Sequence, residues 1–137
     1  MNDQRTRDDA LRPEKAVDAL RPADLEEISA ELTERAGQLR EEITASDEAV
    51  AALRADCDLD AADAGTKIAA AQQLRARRDE AHGLLQQTLG ALDRLRNGTF
   101  GVCTSCGRPV GAARLRAVPH AERCIACTRT SEPPRSR

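Results

Sequence analysis

Large apolar side chains are scarce in this 137-residue sequence. It has one Phe, no Trp and no Tyr, and Leu, Ile, Val and Phe together number 24 against 25 Ala. So little bulky apolar surface cannot enclose the packed interior of a conventional compact enzyme with a buried pocket. No apolar run approaches the ~18–20 residues of a membrane span. The opening residues Met1 to Arg5 are polar, without the apolar stretch of a secretory signal. These absences lead us to expect a cytoplasmic, non-membrane protein whose thiols stay reduced. Proline is absent between Pro22 and Pro109, so nothing in that span forbids long helices.

The net charge of −2 conceals a polarity along the chain. Residues 1–63 carry 18 acidic and 8 basic side chains, and residues 64–137 carry 5 and 13. Such asymmetry suits an electrostatically oriented partner, and it is equally what solvated helix faces produce. Residues 1–22, charged and interrupted by Pro13 and Pro22, read as a mobile N-terminal arm. Pro22-Ala23-Asp24 then opens a helix, with Asp24 as its N-cap and Glu27 three residues on.

From Leu25 the apolar residues fall at 25, 28, 32, 36, 39, 43, 50, 53 and 57, a coiled-coil stripe with one stutter near Ala36. The stripe predicts a first helix reaching about Cys57. It stops in the acidic segment Asp58 to Gly65, and helical periodicity resumes at Ile68 through Leu74, Ala81, Leu85, Leu89, Leu92 and Leu95. Arg94 and Arg96 suit a last turn, and Asn97-Gly98 supplies the stop. The fold class expected is mainly α: a long antiparallel helical hairpin over 23–97, turning at an acidic tip over 58–65. The alternative, one continuous helix that dimerises, would have to run straight through Asp58–Gly65.

The strongest motif follows. Cys103-Thr104-Ser105-Cys106 and Cys124-Ile125-Ala126-Cys127 form C-x2-C-x17-C-x2-C, the spacing of a four-cysteine zinc site. Each pair points two thiolates at one ion, and Gly107 lets the chain turn so that backbone N–H groups face sulfur. Cys103, Cys106, Cys124 and Cys127 are thus the ligands of one structural Zn²⁺ in a module spanning 98–127, followed by a flexible basic tail over 128–137. Arg108, Arg114 and Arg123 can offset the negative charge of four thiolates. Disulfides or a redox-active pair are the competing readings, disfavoured by a reducing compartment. Four protein ligands leave no open metal position, and no nucleophile–base pair or phosphate loop appears, so no enzymatic activity is expected. His120 could substitute as a ligand, but with four cysteines it reads as a surface or packing histidine; His82, on or beside the stripe, reads as a packing residue. Cys57, on the stripe, reads as a small buried hydrophobe rather than a sensor thiol.

A helical hairpin with an Asp-bearing tip, followed by Gly98, Phe100, Gly101, Gly107, Pro109, Arg114, Leu115 and Pro119 around the cysteine pairs, resembles the DksA/TraR family of zinc-finger regulators over residues 25–127. The family's tip motif Asp-x-x-Asp-x-Ala corresponds to Asp60, Asp63 and Gly65, with Gly in place of Ala. The resemblance implies a transcription regulator that binds bacterial RNA polymerase through its secondary channel. Asp60 and Asp63 would then lie near the active site and modulate promoter-complex stability, and the zinc module would dock on the rim. It implies a monomer without sequence-specific DNA binding. Family members that respond to guanosine tetraphosphate carry basic residues where this chain has Gln87, Val118 and Thr128, so alarmone binding is not expected. The terminal helix that packs on the base in longer members is not expected either, given the short, proline-broken end. Other classes fit parts of the pattern: a nucleic-acid-binding zinc module on a coiled-coil stalk, using the seven Arg of 108–137, or a zinc-thiolate redox-switch adaptor.

Overall fold

The computed structural model describes residues 20–56 and 61–131, less the side chains of 61 and 62. Among the described residues four helices follow one another: α1 (Pro22–Ala55), α2 (Ala61–Asn97), α3 (Ala112–Ala117) and α4 (Ile125–Ser131). The chain is a mainly α protein, an antiparallel helical hairpin followed by a four-cysteine module. Among the described residues no helix is long and apolar enough to cross a membrane. Two compact units divide the chain, one spanning Glu34–Gln86, the other comprising the residues up to Thr33 and from Gln87 onward.

The helix-pair unit spans Glu34–Gln86. Arg78 Nη1 donates to Asp47 Oδ1 at 3.0 Å and Lys67 Nζ donates to Asp56 Oδ2. Numbers rising along α1 therefore meet numbers falling along α2, which makes the pair antiparallel and excludes one uninterrupted helix. The same register sets Ile43 across from Ala81 and Leu39 across from Leu85, all four buried. Two polar residues complete the seam. Ser46, 7% exposed, fills the gap between Ile43 and Val50 in the apolar stripe of α1. On α2 the half-buried Arg78 occupies a seam position and turns its guanidinium to Asp47 and Asp79.

The α2 seam follows an unbroken heptad, Ala64, Lys67, Ala71, Leu74, Arg78, Ala81 and Leu85, every member buried or half-buried. Ile68 lies one residue off that line and is 60% exposed. The expectation that it opens the core stripe is thus corrected: the seam position is Lys67, whose ammonium pairs with Asp56. His82 is exposed beside buried Ala81, so the packing role expected for it is corrected as well.

Helix ends also differ from the pattern. α1 stops at Ala55 rather than Cys57, and Cys57 lies outside the described residues. Of the acidic stretch 58–65, residues 61–65 already belong to α2. Asp63, Ala64 and Gly65 have good helix-start chemistry, an acidic side chain in the first turn, and no apolar periodicity to reveal it.

In the finger unit the first turns of α1 and the last turns of α2 share a small core with the cysteine module: Leu20, Ile28, Leu32, Ala91, Phe100, Cys103, Val110, Leu115 and Ala121. Leu20 is only 6% exposed and Pro22 starts α1, so the expectation of a mobile arm is corrected for residues 20–22; residues 1–19 lie outside the described residues. α1 begins at Pro22, where the missing N–H and fixed φ are favourable. Asp24 therefore stands two residues inside the helix rather than at the N-cap. Its carboxylate reaches back to accept from the Arg21 backbone N–H at 2.9 Å and from Arg21 Nη2 at 3.2 Å, with Arg116 Nη2 at 3.8 Å.

The Arg21 side-chain hydrogen bond, then the Arg21 backbone N–H and the nearby positive charges, hold the Asp24 carboxyl below its usual range despite some desolvation. A depressed carboxylate stabilises the fold above its unfolded pKa of about 4, and that stability is lost as pH falls through the folded value. Asp24→Asn is accordingly expected to flatten the acid limb of a Tm-versus-pH profile below about pH 4, with both proteins melting alike at the most acidic point. Parallel profiles for the two would show that the pairing does not contribute.

Candidate zinc site

α2 ends where Asn97-Gly98 suggests. Gly98 adopts φ +71° and the Thr99 N–H donates to Arg94 O at 3.0 Å, the six-to-one bond of a Schellman cap. The chain then delivers Phe100, 3% exposed, into the core directly ahead of the first cysteine pair.

Val102 and Pro109 form an antiparallel bridge, with Val110 N donating to Gly101 O and Cys103 N to Arg108 O, both at 2.8 Å. Between them the chain reverses through Cys103 to Gly107, closed by Gly107 N to Cys103 O at 2.9 Å. Gly107 has φ +71°, a conformation that costs an L side chain about 1–2 kcal/mol. A Cβ there would meet nothing within 4 Å, so Gly107→Ala is expected to destabilise through the backbone alone, by about 1–2 kcal/mol in a denaturant titration. An unchanged midpoint would contradict that strain.

The second pair starts α4: Cys124 precedes it and Cys127 sits in its first turn. Two connections absent from any spacing rule bring the pairs together. Thr104 donates to Glu122 O through its backbone N–H at 2.9 Å and its hydroxyl at 3.2 Å. Arg114, on α3, donates through Nε to Arg123 O at 3.1 Å and through Nη2 to the Thr128 hydroxyl at 3.3 Å. The sequence marks Arg114 as a charge neutraliser; its geometry makes it a brace across the second knuckle.

The four Sγ atoms of Cys103, Cys106, Cys124 and Cys127 all lie within 4.8 Å of one another. Cys106 and Cys124 Sγ are 3.8 Å apart. A tetrahedron of sulfurs about 2.3 Å from Zn²⁺ has edges of about 3.8 Å, so the donor set fits that ion in size, number and softness. The site is that of one structural Zn²⁺, which these four cysteines would hold, leaving the ion a purely structural role. Burial raises the Cys103 thiol, but backbone N–H donors of Cys124, Cys106 and Ser105 outweigh it and bring it to about 6. Hydrogen bonds with the Cys124 and Cys106 thiols push Cys127 up to about 12. Neighbouring sulfurs thus ionise together only when a cation neutralises them. His120 is not among the clustered donors.

The expected flexible tail over 128–137 is corrected in part, because Thr128 to Ser131 belong to α4. Thr128 Oγ1 donates to Cys124 O at 3.0 Å, and Thr130 Oγ1 and Ser131 Oγ donate to Cys127 O at 3.0 and 3.1 Å. Residues 132–137 lie outside the described residues.

As for the tip, Asp60 lies outside the described residues. Asp63 is exposed in the first turn of α2 and Gly65 is exposed two residues on, at the turn end of the helix-pair unit.

An antiparallel helical hairpin joined to a four-cysteine zinc finger defines a class of zinc-finger protein. Residues 98–133 match the prokaryotic dksA/traR C4-type zinc finger. The structure is similar to that of the transcription factor DksA2 from Pseudomonas aeruginosa, with a TM-score of 0.68 and 25% sequence identity, over 80% of this chain and 83% of that one. No curated protein matches the sequence. The finger is thus of the dksA/traR C4 type, and the helical hairpin that carries it is folded like that of DksA2.

Proposed function

We propose that the chain is a DksA-type transcription factor that binds bacterial RNA polymerase through the secondary channel. In this reading the finger unit docks on the channel rim, and Asp60 and Asp63 act near the catalytic centre on promoter-complex lifetime. The observation that carries the reading is the exposed Asp63 carboxylate at the turn end of an antiparallel helix pair, in a chain whose finger is of the dksA/traR type. The helical stretches of the helix-pair unit run 22 and 26 residues, about 33–39 Å at ~1.5 Å per residue. That reach suits insertion into a channel, and a carboxylate at its end can act on a Mg²⁺-bearing site or on basic loops.

Direct nucleic-acid binding finds less support. Arg114 is committed to the second knuckle, Arg116 pairs with Asp24 and Arg123 with Glu122, each at 3.8 Å. Among the described arginines from 108 on, only Arg108 and Arg129 are neither engaged in the knuckle nor paired with a carboxylate, too sparse a patch for a phosphate backbone. The cleft of about 180 Å³ lined by Gln87, Val118 and Thr128, with Arg114, His120 and Arg123, lacks basic side chains at those three positions. This supports a factor that does not bind the alarmone. The reading places the protein in the cytoplasm as a monomer.

A pull-down with purified core polymerase tests it. Retention of the zinc-loaded chain, displaced by excess of another secondary-channel factor, is the expected result. Binding to free DNA at moderate salt, with no retention by polymerase, would overturn the reading.

A further inference from the structure

The helix-pair unit carries a surface feature that neither the zinc site nor the acidic tip uses. Beside the turn end, a groove of about 280 Å³ opens between α1 and α2. Leu53, Ala64, Ile68 and Ala71 supply its apolar lining, and Arg54, Lys67 and Arg75, with the one carboxylate Asp56, its charge. Ile68 is 60% exposed because it stands one residue off the seam heptad. Packing within the helix pair therefore does not account for a β-branched apolar residue at this position, where a polar one would serve the free chain equally well.

The charges around it are unbalanced. Lys67 is held by Asp56. Arg54 and Arg75 have no carboxylate partner among the described residues, although the first is exposed and the second half-buried. Two guanidinium groups with no carboxylate partner among the described residues, flanking an apolar floor, complement a segment that presents carboxylates beside one large apolar side chain. This surface is opposite in character to the acidic tip that it adjoins.

We infer that this groove is a second contact of the helix pair with its partner, receiving an acidic segment with an apolar anchor from the polymerase. The inference rests on the polymerase reading and adds to it a gripping contact separate from the acidic residues. Ile68 fills an apolar recess on the partner, while Arg54 and Arg75 pair with carboxylates on either side. The tip is thereby held in one orientation at the place where its own carboxylates act.

The experiment measures the affinity of the full-length, zinc-loaded chain for purified core polymerase, comparing wild type with Ile68→Ser and with Arg54→Glu/Arg75→Glu. Circular dichroism melts serve as the folding control; Ile68 and Arg54 are exposed and Arg75 is only half-buried, so the variants are expected to stay folded well above the binding temperature. Each variant is expected to bind about tenfold more weakly, and the double charge reversal to lose most of the salt dependence of wild type. Wild-type affinity in either variant overturns the inference while leaving the polymerase reading intact. Failure of the wild type itself to bind overturns that reading, and this inference with it. A wild-type dimer that Ile68→Ser converts to monomer shows the occupant to be a second copy of the chain, which also overturns the inference.

Discussion

Chelating the metal is expected to unfold the finger unit completely rather than to loosen it. Its core is nine buried residues with Phe100 as the one aromatic among them, and one of the nine is a zinc ligand, Cys103, 2% exposed. Structural zinc contributes about 10–16 kcal/mol to folding in small four-ligand modules, against a total stability of about 5–15 kcal/mol for ordinary domains. Without the ion, four sulfurs within 4.8 Å of one another cannot all ionise, so the cluster loses the charge neutralisation that holds it together. Hydrogen exchange reads this residue by residue. Amides of Cys103, Val110 and Leu115, bonded to Arg108, Gly101 and Gly111 in the folded chain, should lose their protection on chelation. Cys124→Ser should reproduce the loss without chelator. Retained protection at those amides would mean that the apolar core folds the unit unaided.

The second large effect concerns the tip. Asp60→Asn/Asp63→Asn is expected to lower the effect on open-complex lifetime at least about tenfold, while affinity for polymerase stays within about twofold. Asn keeps the shape and removes the charge, so only a role that needs negative charge is lost. Asp63 also stabilises the first turn of α2 through the helix dipole, a contribution of about 0.3–1 kcal/mol. That is too little to unfold a helix of 37 residues, so loss of activity cannot be ascribed to loss of the helix. Asp63→Glu, which restores the charge, should recover part of the activity. A double Asn variant with full activity would assign these residues to helix capping alone.

The parts of this protein that were legible beforehand are those where chemistry permits few residue types. Four cysteines at matched spacing announce a tetrahedral ion, and Asn97-Gly98 announces a Schellman cap because a left-handed residue is needed there. The α1 stripe was legible because Leu and Ile mark it at nearly every step. What stayed hidden was carried by small or polar residues. The α2 seam runs through Ala71 and, in the finger unit, Thr88, neither of which stands out from an alanine-rich background. Ser46 occupies a seam position that apolar counting leaves blank. Ile68 misled in the opposite direction: its bulk suggested the core, while the heptad set one residue earlier by Lys67 turned it outward. Leu20 was hidden by its charged neighbours, and α4 by its run of Thr and Ser, whose hydroxyls bond back to Cys124 and Cys127 carbonyls.

In the zinc site, spacing identified the ligands but not what presses the two knuckles together. The Thr104 contacts to Glu122 and the Arg114 brace on Arg123 and Thr128 span sequence separations of 18, 9 and 14 residues. Such contacts depend on the folded path of the chain, and no local pattern encodes them.

Photo-crosslinking from position 63 to core polymerase is the most direct measurement of the central claim, that this helix pair carries its carboxylates into the enzyme's interior. With a photoreactive residue replacing Asp63 in the otherwise intact, zinc-loaded chain, crosslinks are expected on segments lining the secondary channel beside the catalytic Mg²⁺. Excess of a competing channel factor should abolish them. Crosslinks confined to the outer surface of the polymerase, or to DNA, would contradict the account.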